Sequence, residues 1–436
     1  MKNERHLVLI IMGLVLAFAA KQVRLFFLPV SVAAMARWAL LSLGVLHCMY
    51  TGKPTVRRCP QLRRSRSDTA LALMLAAFLA SAMASDSVNK SLIYWGVCAL
   101  QVILLTRWMR ALSVKGWRKV MLIAAATCAG VSMAGALGYG ADPDRFSSAG
   151  RLAGLSNANS MGLVAMIGCL LCLALYLFET NQEWSKSWLP KLYLAGAISC
   201  VAALWFSSSR SSMAGLAAGA LVIQVLSGRY QKPLIITLLA LAGLWLALHN
   251  TRMNKFAASQ VQTRIMRGEG GNIFSDRENR WESAYRQWLD APWLGHGYAT
   301  TGRGIAIDGS GYVGLLASVG ILGAVGFALP ILSILALLVQ EGKKAYGQKS
   351  LAQYAPEHRQ LLALSAGPLV ALLVQGVGEP WMLGPGSFMQ FIYWLCVGGC
   401  LTATGLMQRP LKKDRQERGK RHAQVSRPAL ARMSAE

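Results

Sequence analysis

Charge is scarce in this chain, and acid is scarcer still. Only 15% of its 436 residues are Asp, Glu, Lys or Arg, where a soluble protein of this size carries about 25%. Acidic residues number 19 against 45 basic ones, for a formal net charge of +26. The chain also lacks a P-loop, a DxD-type metal site and any His/Cys cluster at metal-ligand spacing. These absences argue against a nucleotide-fuelled or metal-centred activity, and neither metal nor cofactor is expected. Of nine cysteines, eight fall in or beside apolar runs and Cys59 lies in a basic loop, so no disulfide framework is expected. Cys169 and Cys172 form a CxxC inside an apolar run, without the second pair or histidines a metal site needs.

What is present is apolar. Hydrophobic residues make up 54% of the chain, gathered in blocks of about 16–25, the length that crosses a hydrocarbon core as a helix. The fold class expected is an all-α polytopic membrane protein. Spans are expected near 7–20, 26–49, 69–85, 91–106, 120–138, 160–178, 189–207, 211–227, 233–249, 310–340, 360–378 and 386–407, about twelve transmembrane helices. The first has the charged start and apolar core of a signal peptide. No convincing cleavage site follows it, so an uncleaved helix is expected.

The basic residues assign the sides. Connections 51–68, 107–119, 179–191, 227–232 and 341–359, with both ends of the chain, hold 30 of the Lys and Arg residues, against 14 in the alternate set. The richer set, and hence both termini, is expected to be cytoplasmic. Residues 1–408 then form a transmembrane domain, with one larger external loop, 250–309, between helices 9 and 10. Residues 409–436 form a basic cytoplasmic tail, expected to be disordered and drawn to membrane lipid rather than to nucleic acid.

The external loop breaks the charge bias. It carries Arg252, Lys255, Arg264, Arg267, Arg277, Arg280, Arg286 and Arg303, and Arg offers a planar fork suited to phosphate. Within the loop, Trp281, Ala284, Tyr285, Trp288 and Leu289 fall on one helical face, which fits a helix lying at the membrane interface.

Five features on that side are candidate sites. Ser207 to Ser212 surrounds Arg210 with small hydroxyls at the lip of a span. This is either a plain polar hairpin or an anion site at a helix start. Arg151 to Asn159 opens the next apolar run, either as a capped helix start or as a cluster for sugar hydroxyls or phosphate. Arg277 and Arg280 are candidate phosphate ligands. His296 sits in a Pro/Gly turn, as a surface residue or a general base. Asp308 and Glu379 are acids at the membrane boundary, costly there unless paired or functional, and so the other candidate bases.

Taken in order, these motifs resemble the O-antigen ligase and O-antigen polymerase superfamily. The resemblance runs from Arg151 to Gly323. Its Arg–Gly–Asn element is similar to Arg151, Gly154 and Asn159, and its Ser-Arg to Ser209-Arg210. Its Arg-xxx-Trp followed by Pro-x-x-Gly-x-Gly is similar to Arg277, Trp281, Pro292, Gly295 and Gly297, and its Tyr with paired Gly to Tyr312, Gly320 and Gly323. Where the ligases carry a His-Asn pair three residues before that Tyr, this chain has Gly309 and Ser310, which favours a polymerase-type member such as an exopolysaccharide polymerase. The resemblance implies a GT-C-like glycosyltransferase of the bacterial inner membrane. It would transfer glycan from a polyprenyl-diphosphate-linked donor to a glycan acceptor on the periplasmic face, alongside other polysaccharide-export proteins. Arg210, Arg277, Arg280 and Arg151 would hold the diphosphate, and Glu379, Asp308 or His296 would serve as base. Lipopolysaccharide O-antigen ligase is the alternative within that class. A transporter for anionic polysaccharide or another anion is the alternative outside it.

Overall fold

The computed structural model describes residues 2–23, 37–47, 50, 66–142, 146–148, 151–153, 157–179, 188–227, 278–299, 311–347, 356–381, 384 and 387–407. The helices are α1 (Lys2–Val23), α2 (Arg66–Met83), α3 (Val88–Val102), α4 (Val114–Ala141), α5 (Ala158–Glu179), α6 (Leu189–Ser207), α7 (Arg210–Ser227), α8 (Glu278–Asp290), α9 (Gly311–Gly347), α10 (Pro356–Gln375) and α11 (Phe388–Met407). A two-residue antiparallel ladder pairs β1 (Ser147–Ser148) with β2 (Arg151–Leu152) just before α5. Residues 37–47 are also helical. Among the described residues, six helices are long and apolar enough to cross a membrane, and three shorter apolar helices accompany them. The protein is therefore an all-α polytopic membrane protein. The span expected at 233–249 and the basic tail lie outside the described residues, as does the rest of loop 250–309 on either side of residues 278–299.

Polar contacts follow the alternation of ends read from the charges. Arg110 pairs with Asp68 through two bonds of 2.7 and 3.2 Å, and Arg118 pairs with Glu179. All four residues come from connections of the richer basic set. At the opposite end, here called the outer end, Asn159 Nδ2 donates to Glu379 Oε1 at 2.7 Å, and Ser91 Oγ donates to the carbonyl of Tyr298 at 3.0 Å.

α5, α7 and α10 pack through small residues, which let helix backbones approach closely in a bilayer. A Cβ on Gly219 would lie 2.7 Å from the Gly367 carbonyl oxygen and 2.8 Å from the Leu170 side chain. One turn outward, a Cβ on Gly215 would lie 2.7 Å from the Ala371 oxygen and 2.6 Å from Met166 Sδ. The register is thus Leu170–Gly219–Gly367, then Met166–Gly215–Ala371.

α9 is broken at Gly320, whose φ of 64° and ψ of −172° are not helical. An unbroken helix would bond the 321 and 322 N–H groups to the 317 and 318 carbonyls. The break orphans all four groups, and the turn after α8 satisfies each of them. His296 N–H donates to Ala317 O (3.1 Å) and Gly297 N–H to Ser318 O (2.9 Å). Ile321 N–H donates to Pro292 O (2.9 Å) and Leu322 N–H to Trp293 O (3.2 Å). Ser318 Oγ adds a bond to the Gly297 carbonyl and accepts one from the Ala299 N–H. The loop is in effect spliced into the α9 ladder. The splice requires glycine twice. A Cβ on Gly320 would run into the Trp293 backbone, and one on Gly295 (φ 65°) into the Ser318 carbonyl.

Gly320→Ala is expected to destabilise the protein by about 2–4 kcal/mol, through its positive φ and the backbone overlap. Gly96→Ala, where a Cβ meets nothing within 4 Å, should stay within about 1 kcal/mol of wild type. Thermal unfolding of the purified protein in detergent separates the two.

Candidate functional site

The outer end of the α5–α7–α10 stack gathers several of the expected residues. Asn157 and Asn159, two residues apart, do different work. Asn157 Oδ1 accepts from the Ser160 N–H at 2.7 Å and caps α5. Asn159 instead reaches across to Glu379.

Glu379 is half-buried and stands in the turn that ends α10. That turn is fixed from several sides. Tyr312 Oη donates to the Leu373 carbonyl at 2.8 Å, and Trp381 Nε1 to the Leu372 carbonyl at 3.2 Å. Both are last-turn carbonyls, and that of Leu372 also accepts from the Gly376 N–H at 2.8 Å. Gly311, first residue of α9, rests directly on the Gly376 carbonyl, and its Cβ position lies 3.0 Å from the Glu379 carbonyl oxygen. The limb of α9 before the break thus holds the carboxylate-bearing turn in place.

Arg210 is half-buried and begins α7. The reversal from α6 to α7 turns on Ser208, in the left-handed region at φ 52° and ψ 37°. Ser209 and Ser212 share a hydrogen bond of 2.8 Å between their hydroxyls. Gly162 lets this turn sit on α5, since a Cβ there would lie 2.7 Å from Ser207 Oγ and collide with Ser209. A cation at a helix N-terminus opposes the helix dipole, and first-turn N–H groups have no intrahelical acceptor. Both disadvantages are reversed by an anion, so this turn suits a phosphate.

The other candidates are placed as follows. Arg280 is exposed on α8, which buries Ala284 and Gln287 and leaves Tyr285 and Leu289 about half exposed. Arg151 forms β2, paired with Ser148 ahead of α5. Arg277 and Asp308 lie outside the described residues. His296 Nε2 bonds the Gln287 carbonyl at 3.0 Å. A carbonyl only accepts, so Nε2 carries the proton in this bond.

Two residues that reading the sequence missed support the loop. Tyr298 is fully buried and stacks on Phe78 at 4.8 Å, and its hydroxyl accepts from Gln390 Nε2 at 2.6 Å. Burial pushes its phenol well above the usual range, so it stays neutral. The signal available for Gln390 was an amide inside an apolar run, which is rare enough in a membrane helix to be informative.

Residues 194–328 match the family model described as O-antigen ligase. The matched stretch holds the Ser-Arg turn, α8, the spliced loop and the Gly320 break, and it excludes Asn159 and Glu379. No curated protein matches the chain. The match shows that this region is similar to O-antigen ligase/polymerase-type proteins, and the apolar helices make the protein a multi-pass membrane protein.

The Asn159–Glu379 bond is expected to couple the two residues. In a double-mutant cycle with Asn159→Ala and Glu379→Ala, unfolding free energies should depart from additivity by about 0.5–3 kcal/mol. Additive effects would show that the contact contributes no stability.

Proposed function

We propose that this protein polymerises polyprenyl-diphosphate-linked oligosaccharide repeat units on the periplasmic face of the bacterial inner membrane. One observation carries the reading: a carboxylate held by Asn159 and an arginine-led helix start crown the same end of one three-helix stack. Acid–base chemistry and anion stabilisation are the two things the reaction needs.

In the proposed step an acceptor hydroxyl oxygen attacks the anomeric carbon of the donor sugar. The bond from that carbon to the phosphate oxygen breaks, and polyprenyl diphosphate departs with the electron pair. The hydroxyl proton passes to the Glu379 carboxylate. Arg210 and Arg277 offset the charge building on the diphosphate, with Arg280 and Arg151 assisting. Asp308 and His296 are the alternate bases. Gly309 and Ser310 stand where the ligases of this superfamily carry His-Asn, which supports polymerase over attachment of finished chains to lipid A–core. The other polysaccharide-export proteins would supply and remove its glycans.

The test is polymer length in cells lacking the native gene, with membrane levels matched. Arg210→Ala and Arg277→Ala should leave single repeat units on lipid, a loss of about 10²–10³ in rate. Glu379→Gln keeps an oxygen for Asn159 and should lose about 10²–10⁴. His296→Ala and Asp308→Asn should stay within about tenfold of wild type, as expected of residues other than the base. Full-length polymer from both arginine variants would sink the diphosphate assignment. Transfer of preformed chains to lipid A–core by the wild type would make the protein a ligase. Polymer made by purified protein without an ion gradient would exclude the transporter.

A further inference from the structure

Gln375 ends α10 fully buried, at 0% exposure, and neither atom of its carboxamide has a hydrogen-bond partner among the described residues. A buried amide with nothing to bond is unfavourable in any apolar setting, and polar groups retained inside a membrane protein mark functional sites. A leucine would fill the same space without that penalty.

The stack register locates the amide. Gly219 opposes Gly367, and Gly215 opposes Ala371, one antiparallel turn outward. One further turn sets Gln375 against Ser211, the residue after Arg210. On α5 the same steps run from Leu170 to Met166 to Gly162, and Gly162 meets Ser207 and Ser209. The layer beneath the outer end is therefore Gly162, Ser211 and Gln375. The next one outward holds the Asn159–Glu379 pair. Moving outward, the stack passes from two layers of small residues under Leu170 and Met166 to an unpaired amide, then to the carboxylate.

A carboxamide offers two donors on Nε2 and an acceptor on Oε1. A diphosphate oxygen would satisfy the donors alone and leave Oε1 unpaired. Adjacent sugar hydroxyls, each both donor and acceptor, satisfy both ends. The tight backbone contacts at Gly215 and Gly219 close the inner layers, which leaves the outer turn as the side facing the amide.

We propose that Gln375 is a specificity-determining residue that binds hydroxyls of the donor sugar adjoining the diphosphate. The inference rests on the reading that Arg210 holds that diphosphate.

The experiment uses the purified full chain in nanodiscs, with two probes. One is polyprenyl diphosphate carrying its oligosaccharide, and the other is bare polyprenyl diphosphate. Gln375→Met should weaken the sugar-bearing probe about tenfold, leave the bare lipid within twofold, and keep the melting temperature at or above that of wild type. Arg210→Ala should weaken both probes by tenfold or more. Equal weakening of both probes by Gln375→Met, or no change in either, overturns the sugar assignment. So does failure of both Gln375→Met and Gln375→Leu to fold, because an amide whose removal unfolds the protein is structural. If Arg210→Ala leaves both probes bound as tightly as in wild type, the diphosphate reading itself fails. That outcome is distinct from the failure of Gln375 to discriminate between the probes.

Discussion

A bilayer supplies no water to a broken helix, so every backbone group freed inside the protein needs another partner. The break of α9 at Gly320 meets this constraint with four hydrogen bonds from residues 292–297. Much of the outer end follows from that exchange. It ties the turn after α8 to the core. It also sets the limb from Gly311 to Val319 at its own angle to the span beyond. Ser81 Oγ donating to the Ser318 carbonyl at 3.2 Å pins the limb to the outer end of α2. With the limb so placed, Gly311 and Tyr312 bear on the turn that carries Glu379.

A second constraint acts through side chains too small to fill space. Gly162, Gly215, Gly219, Gly367 and Ala371 bring α5, α7 and α10 within backbone contact. Lipid tails offer helices little hydrophobic reason to associate, so this packing and the polar contacts at the ends hold the stack together. Close approach below and hydrogen bonding above divide the labour. The small residues give a rigid base for the polar groups at the outer end of the stack. Rigid support is what a site needs if its donors are to be aimed before charge develops.

The same physics accounts for the two kinds of polar contact. Arg110 with Asp68 and Arg118 with Glu179 are charge pairs at the richly basic end, and they tie neighbouring connections together. At the outer end Asn159, a neutral amide, donates to Glu379, while Arg286 pairs with Glu282 on the exposed face of α8. An amide donor orients a carboxylate without itself adding a positive charge.

Much of this was legible in the sequence, and the rest was not. Apolar block lengths gave the helices because crossing a hydrocarbon core is a one-dimensional requirement. The Lys and Arg tally sorted the connections into two ends, and the contacts keep to that sorting. The Pro-x-x-Gly-x-Gly turn and Gly320 were visible as motifs, but their purpose was not. Nothing along the chain says that residues 292–297 complete the ladder of a helix more than twenty residues later. Glu379 was a candidate from its place at a boundary, whereas its bond to Asn159, 220 positions away, depends on how α5 and α10 pack. Gln375 passed unnoticed because a single Gln in an apolar run looks the same whether it is satisfied or orphaned. Composition and periodicity act locally and can be read from order alone. Register between helices is decided by which small residues meet, and only the folded stack determines that.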